Sequence, residues 1–242
     1  MDLEYYVRRA GTLEGWVLEF EPDYLGPELP WKYEQRAKEL AAQAHDLVDL
    51  GTGGGEVLSR ILEGVSARVY AVEEWQVNAP VAHRALAHRA TVLRASSERL
   101  PFRDHSFDLV LSRHEAIDPA EIARVLAPGG RFLTQQVVPE HLCELQQIFP
   151  EITRYPDHFN EYQEGLRISG LRIDDARICF TKVRFRELGH LVYHLTIAPW
   201  LLPHFTVESC RPQLEDLERQ LREQGGLTFT SGNYIIEASR SR

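Results

Sequence analysis

A buried-strand pattern runs directly into a glycine-rich turn in the first quarter of the chain. Residues 47–50 read Leu-Val-Asp-Leu, and residues 51–55 read Gly-Thr-Gly-Gly-Gly. Residues 56–62 then place apolar side chains at helical spacing. Glycine is favoured where the backbone takes positive φ or approaches a ligand closely, and a helix N-terminus offers free N–H groups. The pattern predicts a strand, a tight turn and a helix, which form either a ligand site or a bare turn.

The residues around this turn argue against two common nucleotide sites. A phosphate loop of the Walker type needs a lysine, which the turn lacks. The dinucleotide fingerprint needs a glycine where this chain has Glu56. Asp49 stands two residues before the first glycine, and a carboxylate there suits a ligand with a positive end. The amino group of a methionine-like moiety is such an end.

A pair of carboxylates follows the next predicted strand. Residues 67–72 alternate and end at Glu73 and Glu74, roughly 20 residues after the glycine turn, the interval at which a carboxylate reaches ribose hydroxyls. One carboxylate can accept hydrogen bonds from both hydroxyls of a ribose, and Glu73 directly follows the strand. Glu74 is then a solvated neighbour. Trp75 lies against an adenine face or packs in a helix.

Strands and helices alternate through the first half of the chain, which predicts an α/β fold with a doubly wound, mainly parallel sheet. We expect residues 1–44 to form an N-terminal helical or lid segment and residues 45–242 to form one domain. The expected strands lie near 46–50, 67–73, 90–94, 107–112 and 131–138, and the expected helices near 54–63, 78–88 and 119–126. Ligands of such sheets bind at the carboxyl ends of the strands.

The second half of the chain is less regular. Its pattern predicts helices at 141–149 and 160–169, one or two strands over 171–185, and a final hairpin or bent strand over 227–239 with a turn at residues 231–233. The segment 186–224 is predicted to be a helical insertion that caps the ligand end of the sheet.

Four features together resemble the class I S-adenosylmethionine-dependent methyltransferases. They are the glycine turn, Glu73, and the segments SERLPFRDHSFDLVLS at 97–112 and EIARVLAPGGRFLTQQ at 121–136. The resemblance implies a Rossmann-like, seven-stranded sheet and S-adenosylmethionine as methyl donor, with S-adenosylhomocysteine as product.

Two narrower resemblances extend this one. Residues 29–33, 113–115, 134–137 and 191–207 are similar to an uncharacterised bacterial group within the family. Residues 95–102 and 121–145 are also similar to bacterial 23S rRNA guanine methyltransferases, although nothing in this chain resembles their N-terminal zinc module. The resemblance to the uncharacterised bacterial group brings no known substrate.

The family resemblance implies a set of cofactor-binding residues on four loops. These are Asp49, Gly51, Thr52, Gly53, Gly55, Glu73, Glu74, Trp75, Ser96, Ser97, Glu98 and Ser112. The family often has aspartate at the position of Ser96, so a strong acceptor for the adenine amino group is missing there. Ser97 or Glu98 would take that role.

Arg113, His114 and Glu115 follow a predicted strand at the place where enzymes of this family meet their substrates. His114 suits a general base, Glu115 would orient it or hold a cationic acceptor, and Arg113 would hold an anionic acceptor. The alternative is a structural ion pair between Arg113 and Glu115, with His114 lining the cofactor. Residues predicted to line the acceptor or the cap, with simple packing as the alternative, are Gln135, Trp31, Tyr193 and Trp200.

The charge and cysteine content of the chain limit the classes of partner and cofactor that we expect. The chain has 36 acidic and 27 basic residues and a net charge of −9, which opposes broad binding to a nucleic-acid backbone. Its three cysteines fit neither a disulfide framework nor a metal site, and we expect no metal. With no secretory or membrane-spanning segment predicted, a cytoplasmic enzyme is expected.

The function predicted from these observations is methyl transfer from S-adenosylmethionine to an oxygen or nitrogen of a small molecule. One alternative is an RNA base methyltransferase of the guanine type. Another is a protein that binds S-adenosylmethionine without catalysis. The oligomeric state stays open.

Overall fold

A computed structural model describes residues 2–242. Its strands are β1 (Asp23–Leu25), β2 (Asp46–Leu50), β3 (Arg68–Val72), β4 (Thr91–Leu93), β5 (Phe107–Arg113), β6 (Leu126–Val137), β7 (Leu171–Phe185) and β8 (Leu227–Arg240). Its α-helices are α1 (Leu3–Ala10), α2 (Tyr33–Ala41), α3 (Glu56–Ile61), α4 (Asn78–Ala85), α5 (Pro119–Val125), α6 (His158–Ile168), α7 (Leu188–Ile197) and α8 (Arg211–Gln224).

The strands form one sheet in the order β1-β7-β8-β6-β5-β2-β3-β4. The strands β2 to β6 pair in parallel, whereas β8 is antiparallel to both β6 and β7. The predicted α/β class and the mainly parallel, doubly wound sheet are confirmed. The order changes direction between β2 and β5, and ligands of open α/β sheets bind at such a point.

The sheet has one strand more than the seven expected. The extra strand is β1, within the segment 1–44 that was expected to be helical or a lid, and its three residues pair antiparallel with Lys182 to Arg184 of β7. A three-residue edge strand is too short to show alternation in a sequence. It forms because the long β7 offers it a free edge.

The predicted turn at residues 231–233 is wrong, because β8 continues through it without a break. Gly232 pairs with Phe180 of β7, and a Cβ at this glycine would clash with the Val138 side chain. The glycine is therefore required by a close neighbour within the sheet rather than by a turn. The expected helix at 141–149 is a 3-10 helix over Cys143–Gln147, and the predicted helical insertion over 186–224 contains α7 and α8.

Helices cover both faces of the sheet and divide the core. One apolar cluster packs α5 and α6 against one face, with Phe132 and Tyr234 fully buried in it. A second cluster packs α2 and α3 against the other face, around Leu47 and Leu133. A third lies under α7 and α8. The carboxyl ends of β2, β3, β5 and β6 therefore meet at one edge of the sheet, where the predicted site residues follow.

Candidate active site

The glycine turn connects β2 to α3 with its backbone in the left-handed region. Gly51 has φ 67° and Gly53 has φ 62°. A Cβ on Gly51 would lie 2.5 Å from Cβ of Glu115, and one on Gly53 would lie 2.5 Å from Cδ1 of Trp16. The Gly51 N–H donates to the Val72 carbonyl at 2.9 Å, which ties the turn to the end of β3. Both conformation and crowding therefore require glycine at these positions.

Glu73 links the glycine turn to the loop that follows β3. It is only 4% exposed, and its Oε2 accepts from the Gly53 N–H at 2.7 Å while Oε1 accepts from the Trp75 N–H at 2.8 Å. Burial raises the pKa of Glu73. Each oxygen keeps a further lone pair, which is what a ribose hydroxyl would need. Glu74 is exposed, as the sequence suggests.

Asp49 is buried near the end of β2. Burial raises the pKa of its carboxyl to about 7, and the neighbouring negative charge of Glu73 acts in the same direction. A buried carboxylate of this kind is stabilised in its charged form by a positively charged ligand. Asp49 is therefore placed to favour a ligand that carries positive charge.

The remaining predicted cofactor residues also lie at the carboxyl ends of strands. Ser96, Ser97 and Glu98 follow β4; Ser97 is buried, and the Ser96 hydroxyl accepts from the Glu98 N–H at 3.3 Å. Ser112 is fully buried near the end of β5, where its hydroxyl accepts from the Gln136 amide at 3.5 Å. Thr52 is buried within the glycine turn.

His114 sits directly after β5 in the left-handed conformation, with φ 58°. Its N–H donates to the Gln135 carbonyl at 2.9 Å, and its Nε2 lies 3.4 Å from Nε2 of the same glutamine. The indole of Trp31 donates to Oε1 of Gln135 at 2.8 Å. With the amide oriented by Trp31, its NH₂ group faces His114, so Nε2 of the imidazole is the acceptor and Nδ1 carries the proton.

Two ionisable groups next to β5 have strongly shifted pKa values. His114 is exposed overall, and desolvation of its ring, followed by the Arg113 charge, lowers its pKa. Burial raises the pKa of Glu115 to about 7, with Glu73 and Glu74 adding to the effect. No ion pair joins Arg113 to Glu115 in the part of the chain that the structure describes. The structural ion pair between Arg113 and Glu115, given above as the alternative to a functional role, is therefore not formed.

Three tryptophans from distant parts of the chain meet beside the glycine turn. The ring centroids of Trp16 and Trp75 are 6.0 Å apart, those of Trp75 and Trp200 are 5.4 Å apart, and those of Trp16 and Trp200 are 5.9 Å apart. The Trp16 N–H also donates to Glu56 Oε1 at 2.9 Å. The segment after α7 thus reaches the cofactor end through Trp200.

The predicted acceptor and cap residues divide into two groups. Trp31 and Gln135 are bonded to each other and lie next to His114, and Trp200 contacts Trp75. Tyr193 lies apart: it is 1% exposed, and its ring packs 5.1 Å from that of Phe20, between α7 and the N-terminal segment. An open groove of about 490 Å³ runs between α2 and β7 and includes Trp31 in its lining.

Sequence reasoning missed Trp16, whose side chain covers Gly53. No local pattern marks this residue, because it reaches the glycine turn from the N-terminal segment, far away in the sequence.

A family profile for a methyltransferase domain matches residues 48–134, from β2 to β6. This range contains the glycine turn, Glu73 and Arg113, His114 and Glu115 at the end of β5. The resemblance to methyltransferases predicted from the sequence is confirmed over this range.

Several named proteins resemble this methyltransferase domain. An uncharacterized methyltransferase of Mycobacterium tuberculosis is 37% identical over 98 residues, or 38% of this chain and 40% of that protein. The malonyl-[acyl-carrier protein] O-methyltransferase of Hahella chejuensis is 28% identical over 195 residues, 73% of this chain and 67% of that protein. The 23S rRNA (guanine(748)-N(1))-methyltransferase of Streptomyces fradiae is 31% identical over 100 residues, 41% and 36% of the two chains. This chain thus aligns with well under half of the mycobacterial relative.

The crystal structure of a functionally unknown protein from Deinococcus radiodurans superimposes with a TM-score of 0.65. The match covers 99% of this chain and 100% of the other, at 17% sequence identity. It therefore shows that the two proteins share a fold over nearly the whole of this chain. No helix within residues 2–242 combines the length and apolar character needed to cross a membrane.

Proposed function

We propose that this protein transfers a methyl group from S-adenosylmethionine to an oxygen or nitrogen atom of a small molecule. The observation that carries the proposal is the link between Glu73 and Gly53, since it joins a ribose-type carboxylate to the glycine turn. The residues of this edge fit the cofactor, because the glycine turn lies between the buried carboxylates of Asp49 and Glu73. S-adenosylmethionine supplies a methyl group already activated on a positively charged sulfur.

The chain's own groups need only position the acceptor and exclude water, because the donor carries the activation. The edge next to β5 holds Glu115 in a negative environment, to which Glu73 and Glu74 contribute. Such an environment stabilises a positive sulfur and disfavours a second anion. His114 stands at the same edge and is neutral at physiological pH, since its pKa is lowered. It is thus available to accept a proton from an acceptor.

The charge around the site supports a small molecule over RNA. Acidic groups act on one another near the glycine turn, where burial, Glu73, Glu74 and Glu98 raise the pKa of Glu115, and burial and Glu73 raise that of Asp49. The basic residues nearest to them in the sequence are Arg99 and Arg113. An RNA backbone requires a run of positive side chains, and acidic groups repel it. The likeness to an rRNA methyltransferase keeps RNA as the second candidate acceptor.

A transfer assay with isotope-labelled S-adenosylmethionine tests the proposal. The protein is incubated with a panel of alcohols, phenols, amines and carboxylic acids, and separately with deproteinised ribosomal RNA. We expect label in one small-molecule class and none in RNA. Label in RNA alone establishes the RNA alternative. Tight binding of S-adenosylhomocysteine with no label in either panel would favour a non-catalytic binding protein.

A further inference from the structure

The side chain of Glu115 lies against the glycine turn at the point where the strand order changes direction. Glu115 follows β5, and Gly51 follows β2, the neighbouring parallel strand. A Cβ on Gly51 would lie 2.5 Å from both Cβ and Cγ of Glu115 and 2.7 Å from its Oε2. Ligands of open α/β sheets bind in the crevice at such a point. A ligand bound there therefore meets the Glu115 carboxylate.

The backbone of Glu115 is held by the next strand of the sheet. Gln136, a buried residue of β6, donates from Nε2 to the Glu115 carbonyl at 2.7 Å. The same amide nitrogen donates to the Thr134 hydroxyl at 2.9 Å, which fixes the glutamine side chain. Glu115 itself is half-buried, so part of its side chain stays open to a ligand.

No cation of the protein compensates this carboxylate. Within residues 2–242, neither Asp49, Glu73 nor Glu115 takes part in an ion pair. Burial raises the pKa of Glu115 to about 7, and Glu73 and Glu74 act in the same direction. A positive charge on a bound ligand would stabilise the ionised form of Glu115 and be stabilised by it in turn.

We propose that Glu115 is a specificity-determining residue that recognises the charge on the cofactor's sulfur, so that the site binds the positive methyl donor more tightly than the neutral product. The inference rests on the proposed methyl transfer and adds to it a reason why fresh donor displaces product. The methyl group passes from the cofactor to the acceptor, and Glu115 stands between these two halves of the site. Its side chain touches Gly51, and it directly follows His114.

The transfer step removes the charge that Glu115 attracts. The acceptor oxygen or nitrogen forms a bond to the methyl carbon while the carbon–sulfur bond breaks, and the electron pair of that bond stays on sulfur. The sulfonium becomes a neutral thioether, and the acceptor releases one proton to water. The attraction between carboxylate and sulfur therefore ends once the methyl group has left.

Calorimetric titrations with three ligands, in the absence of any acceptor, test the inference without turnover. The ligands are S-adenosylmethionine, S-adenosylhomocysteine and sinefungin, a stable analogue with an amine in place of the methylated sulfur. All three share the adenosine and the amino-acid end, so the ratios of their dissociation constants isolate the charge at the sulfur position. We expect the two ligands with a positive charge there to bind at least about tenfold more tightly than S-adenosylhomocysteine.

Variants assign this preference to one carboxylate. Glu115→Gln and Glu115→Met, both uncharged and of similar length, should reduce the preference to less than about threefold and leave the affinity for S-adenosylhomocysteine nearly unchanged, which also shows that they fold. Glu115→Asp keeps the charge and should retain most of the preference. Glu140→Gln is the matched control, because Glu140 follows β6 at the same edge of the sheet but is exposed, and it should keep the full preference.

The inference is overturned if the unaltered protein binds donor and product equally, or if the uncharged variants keep the preference. It is also overturned if these variants lose affinity for all three ligands to the same extent, since Glu115 would then meet the amino group that the ligands share. Failure of the unaltered protein to bind any of the three ligands would instead contradict the proposed methyl transfer. One set of titrations therefore distinguishes the two failures.

Discussion

Glu73 accepts a hydrogen bond from the backbone N–H of Gly53, with 2.7 Å between Oε2 and N. This bond fixes the glycine turn against the end of β3, so the two loops that would hold the methionine and ribose parts of the cofactor move as one unit. The second oxygen of Glu73 binds the Trp75 N–H and extends the unit to the third loop residue. The Glu73 carboxylate thus holds two loops of the site together, in addition to its proposed contact with the ligand.

Glu73→Gln should weaken binding of S-adenosylhomocysteine about tenfold or more. The glutamine amide can accept only one of the two backbone N–H bonds, and leaving a buried N–H unpaired costs about 1–3 kcal/mol. Calorimetry measures the affinity, and thermal unfolding measures the loss of stability. Glu74→Gln, at the exposed neighbour, is the control and should change neither. Equal affinities for both variants would contradict the role assigned to Glu73.

Glu115→Gln should make the protein more stable at pH 8 and leave its stability at pH 4 unchanged. The pKa of Glu115 is raised to about 7 by burial, so the folded protein holds a proton there that the unfolded chain releases near pH 4.3. Stability therefore falls as the pH rises from about 4.3 to about 7, and glutamine removes this loss. Chemical denaturation at both pH values measures the effect. A variant that is less stable than the unaltered protein at pH 8 would disprove the shift.

Glu237→Gln should destabilise the protein by about 1–3 kcal/mol at pH 7, because this buried carboxylate accepts bonds from Arg36 at 2.9 and 2.8 Å and from Arg131. Burial opposes ionisation, yet the bonds from Arg36 and Arg131 hold the pKa of Glu237 below its usual value. The lowered pKa contributes stability above about pH 4.3 that is lost as the pH falls through the folded pKa. The difference between variant and unaltered protein should therefore shrink at acid pH.

Urea denaturation between pH 3 and pH 7 measures this difference. Glu39→Gln removes the exposed partner of the same arginine and is the control. It should leave stability nearly unchanged throughout. A constant difference between Glu237→Gln and the unaltered protein across this range would contradict the linkage.

Gly232→Ala should destabilise the protein by about 1–3 kcal/mol, since a methyl group there would clash with Val138 and Phe180 in the middle of the sheet. Gly11→Ala is the control: Gly11 has φ −66°, and a Cβ there would lie 3.5 Å from its nearest neighbour. Thermal unfolding of both variants measures the contrast. Equal losses of stability in the two variants would contradict the tight packing around Gly232 in β8.

The cofactor half of the site could be predicted from the sequence because its determinants are local. The strand, the glycines and Glu73 follow one another at spacings that the geometry of a strand–turn–helix unit fixes. Gln135 could also be predicted, since a buried amide in an apolar strand needs a hydrogen-bond partner. In the structure this partner is the indole N–H of Trp31.

The packing of distant segments could not be predicted in the same way. Trp16 reaches the glycine turn from the N-terminal segment, and its position there depends on how distant elements pack. The same limit explains β8: a glycine between two polar residues is typical of a turn, and only the neighbours Val138 and Phe180 show why it belongs to a continuous strand.

Calorimetric titration of S-adenosylhomocysteine into Gly53→Arg and Gly64→Arg tests the central claim most directly. Both glycines have positive φ, at 62° and 77°, so both substitutions strain the backbone, but only Gly53 lies in the glycine turn, whereas a Cβ at Gly64 meets nothing within 4 Å. We predict that the unaltered protein and Gly64→Arg bind S-adenosylhomocysteine with similar affinity and that Gly53→Arg, still folded, does not bind it. Undiminished binding by Gly53→Arg, or no binding by the unaltered protein, would contradict the account.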